Sequence, residues 1–310
     1  MRINVKTYLL ACLALGGAYA RSTNTASIAN ERIHGHESFV DNDGVRIHYR
    51  SYGSGPLLIL QHGFPDRETT WNTFQIQEFA KKYTVVTPTL RGYPPSDVPP
   101  EKEDYAAAAY VSDMLAVIKA TGKGSAVIVG HDVGGVVVQK FALAHSDMLK
   151  GLVMVNTPII PVFLPLIEFD SYQQQLSEYT IPYYAYQPGQ PKNVSTIVQH
   201  ILNETYRGEI AGYVQESPLY GMLDFYNENF PAPPYGQNLS TEGLAQTVPS
   251  AIIWGELDPY FSPAMLNGLE AWFDFGIRLV TIPGAGHWSF RDKPARFNIE
   301  LKSFLDFLDY

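Results

Sequence analysis

Cysteine is almost missing from this chain. The one cysteine, Cys12, lies in an apolar block near the N-terminus, so everything after it lacks both a disulfide and a thiol nucleophile. Long hydrophobic runs are missing too. The block Tyr8 to Leu15 is too short to span a bilayer comfortably, and no other segment comes near that length, so no stable membrane anchor is expected. Positive charge is scarce: 22 Lys and Arg stand against 31 Asp and Glu, a formal net charge of −9, with no basic run. Nucleic-acid binding, which depends on Lys and Arg neutralising phosphates, is excluded as an expectation. His34, His36, His48, His145 and His200 show no ligand spacing, so no metal site and no cofactor are expected. What the chain does have is 310 residues that are 45% hydrophobic, enough for one large core carrying an insertion.

The first twenty residues read as a secretory leader. Arg2 and Lys6 give a charged start, the apolar block follows, and Ala18-Tyr19-Ala20 is a small-x-small cleavage site. Its removal takes away two positive and no negative charges, moving the net charge from −9 to −11. Secretion and glycosylation agree with three Asn-x-Ser/Thr sequons at Asn193, Asn203 and Asn238. All three fall between Pro158 and Pro249, which marks that stretch as rich in surface.

Apolar and β-branched runs bounded by Gly, Pro or Asp predict strands over 45–50, 57–61, 84–88, 126–129, 152–156, 251–254 and 278–282. Helical spacing appears from Asp104 to Thr121, with Val111, Leu115 and Ile118 on one face. It recurs from Pro294 onward through Phe297, Leu301, Phe304, Leu305 and Leu308. Alternation of strand and helix argues for a mostly parallel sheet covered on both faces. The rhythm breaks after Thr157-Pro158. Residues 159–248 are rich in Tyr, Pro and Gln with no strand run, and a structureless loop of that length is improbable. The expected organisation is a leader over 1–20, an α/β core over 21–158 and 249–310, and a helical cap over 159–248.

The chemistry gathers at three places. Gly130-His131-Asp132-Val133-Gly134-Gly135 follows the apolar run Ala126-Val127-Ile128-Val129, the pattern of a nucleophile elbow. The usual occupant is Ser; here it is Asp132. A carboxylate with an ordinary pKa near 3.9 needs no base to ionise it, and it suits displacement at a saturated carbon better than amide cleavage. Asp132 also fits the N-cap of a following helix. His287 follows Pro283-Gly284-Ala285-Gly286, a flexible loop able to deliver an imidazole. Glu256 and Asp258 both stand just beyond a strand, and either could orient that imidazole as the third member of a triad.

Together with His62-Gly63-Phe64-Pro65 and Arg91-Gly92-Tyr93, these motifs resemble the α/β-hydrolase-fold epoxide hydrolases over nearly the whole chain after the leader. Related dehalogenases share part of the pattern. The resemblance implies the α/β-hydrolase fold, hydrolysis of an epoxide to a vicinal diol through a covalent Asp ester, and a small-molecule substrate with water as the reaction partners. It selects Asp258 over Glu256, and it implies an oxyanion hole from the backbone N–H groups of Phe64 and Val133. His62 and His131 are then loop braces, and Arg91 an ion-pair partner. Leu223-Asp224-Phe225-Tyr226-Asn227 is similar to the lid segment that carries a ring-opening tyrosine, with Asp224 and Asn227 standing where the family has Asn and Arg. Tyr179, before Tyr183-Tyr184 and Gln187-Pro188-Gly189, is a candidate second lid acid with its spacing off by about one. Ten tyrosines in the insertion make aromatic packing the plain alternative for both. The rival functions are a dehalogenase using the same Asp nucleophile and a non-catalytic binding or accessory protein on this fold. Against the dehalogenase, Val133 and Phe64 occupy the halide-holding positions, and Arg91 alone is available to clamp a carboxylate.

Overall fold

The computed structural model describes residues 35–235 and 239–310. The expected leader, the Asn238 sequon and His34 lie outside the described residues. The strands are β1 (His36–Asn42), β2 (Val45–Tyr52), β3 (Leu57–Gln61), β4 (Thr84–Pro88), β5 (Ala126–His131), β6 (Leu149–Val155), β7 (Ser250–Gly255) and β8 (Ile277–Ile282). They form one sheet in the order β1-β2-β4-β3-β5-β6-β7-β8. Neighbours from β4 through β8 run parallel, while β2 pairs antiparallel with both β1 and β4.

Every residue of β3, β5 and β7 is buried. Side chains alternate across a strand, so complete burial means that both faces of the sheet are covered there, as parallel sheets require. The seven strands expected from the apolar runs are all present. The strand that was not expected, β1, is polar and mostly exposed on an edge. It reaches β2 through Asp43-Gly44, both at positive φ (51° and 86°), the geometry of a two-residue hairpin loop.

The helices of the first half are α1 (Gln75–Phe79), α2 (Ala107–Ala120) and α3 (Val133–Ala144). On α2 the buried side chains are Tyr110, Asp113, Met114, Val117 and Ile118, while Val111 and Leu115 are only half-buried. The core stripe is therefore turned from the one expected, because Asp113 is drawn inward by Arg91, which donates to both of its oxygens at 2.6 and 2.7 Å. Among the described residues, the α-helices between β6 and β7 are α4 (Ile160–Phe169), α5 (Ser171–Leu176), α6 (Ile181–Ala185), α7 (Val194–Val198), α8 (Glu204–Glu216) and α9 (Leu219–Asn229). The chain ends in α10 (Ser289–Asp292) and α11 (Pro294–Phe307). On α11, Phe297, Leu301, Phe304 and Leu305 are buried as their spacing predicts.

Candidate active site

Four of the chemistry-bearing side chains stand just past the carboxyl ends of neighbouring parallel strands: Phe64 after β3, Asp132 after β5, Asp258 after β7 and His287 after β8. This is where open α/β sheets place their sites. Asp132 sits on the turn between β5 and α3 with φ 53° and ψ −127°, a positive φ that costs a non-glycine residue about 1–3 kcal/mol. The turn closes tightly because its neighbours have no side chains. A Cβ on Gly134 would collide with the His62 carbonyl, and one on Gly63 with the Asp132 side chain. Thr157 Oγ1 donates to the Asp132 carbonyl at 2.7 Å and holds the elbow from β6. Asp132 occupies the N-cap position of α3, yet its side chain makes no capping bond.

That carboxylate turns into the site. Phe64 N–H donates to Asp132 Oδ1 at 2.9 Å, while Oδ2 lies 3.4 Å from His287 Nε2. His287 Nδ1 is 2.9 Å from Asp258 Oδ2. Glu256, the competing carboxylate, is exposed and accepts from Thr281 Oγ1 instead. Burial would raise the Asp132 carboxyl, but the hydrogen bond and charge of His287, with the Val133 N–H, hold it below the ordinary range. Burial also opposes an imidazolium at His287. The charges of Asp258 and Asp132 overcome it and raise His287 from 6.5 to about 10. Both acids thus favour an imidazolium at His287 in the resting site.

The other histidines brace the loops. Burial lowers His62 to about 4, so the ring is neutral, with Nε2 accepting the Leu90 N–H and Nδ1 donating to the Gly63 carbonyl. His131, also held neutral by burial, donates from Nε2 to the His287 carbonyl at 3.0 Å. Arg91 is buried in its pair with Asp113. Among the described residues, no group of three or more His, Cys, Asp or Glu side chains is arranged to hold a metal ion.

Two residues that the motifs did not bring forward complete the frame. Asn156, just past β6 at φ 41°, donates to Asp258 Oδ2 at 2.7 Å and accepts the Gly255 N–H at 3.0 Å, fixing the carboxylate that faces His287. Asp66 directly follows His62-Gly63-Phe64-Pro65 and is fully buried. It accepts from Tyr206 at 2.7 Å, Trp288 Nε1 at 2.9 Å and Thr70 at 3.1 Å. An acid joined to a motif was the available signal for Asp66; Asn156 offered only its place after an apolar run.

Side chains from the segment between β6 and β7 line the site. Tyr226 on α9 is buried and packs edge-on against Phe64 and Tyr183, with ring centroids 5.7 and 5.3 Å apart. Tyr179 packs on Tyr260, and Tyr260 in turn lies edge-on to His287, both at 4.8 Å. All four tyrosines line a small, tightly enclosed cavity that also takes in Asp132 and His287. Burial, reinforced by the Asp132 charge, keeps the Tyr226 and Tyr179 hydroxyls protonated far above their ordinary value. Tyr183 and Tyr260 were not singled out in the sequence. The two departures in the lid segment answer each other, since Asn227 donates to Asp224 at 3.0 Å.

A nucleophile elbow, an acid and a histidine in this chain order lead to the comparison with known proteins. The sequence profile of the alpha/beta hydrolase fold matches residues 56–294. This chain belongs to the α/β hydrolase fold family. Relatives of this α/β hydrolase include Epoxide hydrolase 3 of Xenopus tropicalis, 28% identical over 301 residues, covering 89% of this chain and 80% of the relative. Epoxide hydrolase 4 of Homo sapiens is 27% identical over 289 residues, covering 86% and 77%. A crystal structure of an epoxide hydrolase from Bacillus megaterium, bound to an inhibitor, superposes with a TM-score of 0.78 at 26% identity. It covers 87% of this α/β hydrolase and all of that chain.

Proposed function

We propose that this α/β hydrolase converts an epoxide to a vicinal diol through a covalent ester on Asp132. The observation that carries the reading is a carboxylate, rather than a hydroxyl, on the elbow, with one oxygen held by Phe64 N–H and the other facing His287. The relatives named as epoxide hydrolases support it. Asp132 Oδ2 attacks a ring carbon and the carbon–oxygen bond breaks. The departing alkoxide takes a proton from Tyr226, with Tyr179 as the second lid acid. Oδ1 becomes the carbonyl oxygen of the ester, already beside the Phe64 N–H, with Val133 N–H as the second donor of the oxyanion hole. Esterification removes one of the two negative charges that raise His287. Its pKa therefore falls, the imidazolium releases its proton to solvent, and the neutral imidazole becomes a base for water only after the first step. Water gives one proton to His287 and attacks the ester carbonyl, the ester carbon–oxygen bond breaks, and the diol leaves with the proton that His287 returns; the second water proton, left on the freed Asp132 carboxyl, restores the Tyr226 hydroxyl, and His287 takes back a proton from solvent.

Two measurements test this. His287→Gln should alkylate and stall, giving a stable mass adduct with an epoxide, while Asp132→Ala gives none. A single turnover of the unmodified enzyme in oxygen-18 water should place the label in Asp132 and not in the diol. Normal turnover by either variant, or label in the diol alone, would overturn the scheme. A dehalogenase is disfavoured because Val133 follows the nucleophile and Arg91 is committed to Asp113.

The same reading takes residues 159–248 as a cap over a core of 21–158 and 249–310, and residues 1–20 as a cleaved secretory leader. Asn193 and Asn203 are exposed, as acceptors of glycans must be. Protein made in a secretory host should begin near Arg21 and lose mass on deglycosylation; an intact Met1 on an unglycosylated product would refute the leader and the secreted location.

A further inference from the structure

Resting on the epoxide reading above, we propose that His200, through the Tyr260 hydroxyl, relays protons between His287 and solvent. The scheme requires His287 to release one proton after the ester forms and to recover one after the diol leaves, yet its side chain is only 1% exposed. Four rings pack on it: His131, Trp288, Phe261 and Tyr260. The first three are buried, and Tyr260 alone is half-buried. Tyr260 makes a T-shaped contact with His287, ring centroids 4.8 Å apart, and a second with His200 at 5.5 Å. His200 lies just past α7 and is the one exposed histidine, among the described residues, whose ring packs on the cavity lining. Neither its ring nitrogens nor the Tyr260 hydroxyl makes a hydrogen bond to the protein among the described residues, so both are open to water. Tyr260 is held firmly in this place. Its N–H donates to Asp258 Oδ1 at 2.9 Å, its carbonyl accepts from Gln173 Nε2 at 3.1 Å, and Gln173 Oε1 accepts the Ser262 N–H at 2.9 Å. The acid that orients His287 thus also sets the ring beside it. The charged groups facing His200 are His287 and Asp258; those facing Tyr260 are Asp258 and Asp132, with Tyr183 beside them. Partial burial and the His287 charge lower His200 from 6.5, so at pH 7 its ring is a neutral acceptor. After the ester forms, His287 Nε2 gives its proton to a water in the cavity that His287 and Tyr260 both line. The Tyr260 hydroxyl takes a proton from that water as it gives its own, through solvent water, to a His200 nitrogen, and His200 releases it to bulk. Each hop breaks one bond to hydrogen as the next forms, and the reverse sequence recharges His287 once the diol has left.

The experiment uses styrene oxide as the probe epoxide and follows formation and breakdown of the Asp132 ester by rapid quench, at pH 7 in weakly buffered solution. His200→Ala should form the ester as fast as the unmodified protein. It should break the ester down about 10²-fold more slowly, the lower end of what a positioned proton-transfer group contributes. Added imidazole should restore breakdown in the variant and leave the unmodified protein unchanged, while sodium chloride at the same ionic strength should restore nothing. Tyr260→Phe keeps the ring and loses the hydroxyl, and should be delayed at the same step. Unchanged breakdown in His200→Ala would overturn the relay. So would a delay that imidazole leaves untouched, since that marks a packing defect. Unchanged breakdown in Tyr260→Phe would take the hydroxyl out of the path. In each of these cases the ester still forms and the epoxide reading stands. No ester on the unmodified protein or on His287→Gln would sink that reading itself, and the relay with it.

Discussion

At the scale of single residues, the site separates the two oxygens of one carboxylate. Asp132 Oδ1 is held by Phe64 N–H and Oδ2 is left facing His287, so under the proposed mechanism the two contacts distinguish the carbonyl oxygen from the attacking one. Asn156 applies the same logic one step out, since it holds Asp258 Oδ2 and thereby the orientation of the imidazole. Tyr226 differs from both. Its ring is packed among Phe64, Tyr183 and Phe230, but its hydroxyl makes no hydrogen bond to the protein among the described residues. A buried hydroxyl opening on a cavity is available to a leaving oxygen. Tyr226→Phe should therefore leave thermal stability nearly unchanged and slow formation of the Asp132 ester by about 10²–10⁴-fold, the usual worth of a general acid. Rapid-quench measurement of the adduct checks this. Unchanged alkylation would return Tyr226 to packing and move proton donation to Tyr179 or Tyr183, which line the same cavity.

At the scale of elements, α8 is tied to the core by its buried Ile210 and Val214 and by a buried hydrogen bond from Tyr206. Tyr206 reaches Asp66 across 140 residues of sequence, and the Arg291 guanidinium lies 3.3 Å from the centre of its ring. Asp66 also receives Trp288 Nε1, so this bond joins α8 to the residue next to His287. Tyr206→Phe leaves a buried carboxyl one donor short, which costs about 1–3 kcal/mol. The expected result is a lower Tm and faster amide exchange concentrated in α8, and unchanged exchange there would remove the latch. The elements themselves were largely legible in the sequence, for physical reasons. Buried parallel strands are continuous apolar runs, and β3 to β7 announced themselves in that way; the antiparallel β2 and the partly exposed β8 were legible from their β-branched and aromatic residues. The eighth, β1, has a polar pattern because an edge strand is half solvated, and its Asp43-Gly44 turn was the stronger signal. On α2 the periodicity was right but the face was turned, because a pattern built on apolar residues does not count Asp113, which is buried by its ion pair.

At the scale of the whole molecule, chain order anticipated that Asp132, Asp258 and His287 would meet, because each follows a strand of the parallel sheet and the strands bring their ends together. What sequence could not give were long-range contacts between unlike segments: Tyr206 with Asp66, Tyr260 with His287, and the size of the cavity that the tyrosines enclose. The buried histidines carry a further global property, the dependence of stability on pH. His62 is lowered to about 4, so below pH 6.5 the unfolded chain takes a proton that the folded site refuses, and stability falls as pH drops through that range. His287 has the opposite sign. Its folded pKa of about 10 stands above the unfolded 6.5, so its contribution is fully present below pH 6.5 and is lost as pH rises through about 10. The molecule should thus be most stable near pH 6–7, with the alkaline limb belonging to His287. In His287→Gln that limb has no titrating group, while the acidic limb remains. Melting curves taken every half unit from pH 4 to 10 should show the unmodified protein losing Tm above pH 6.5 relative to the variant, and both falling together below it. Parallel curves above pH 6.5 would mean that His287 is not held as an imidazolium, and the proposed activation of the base by esterification would lose its footing.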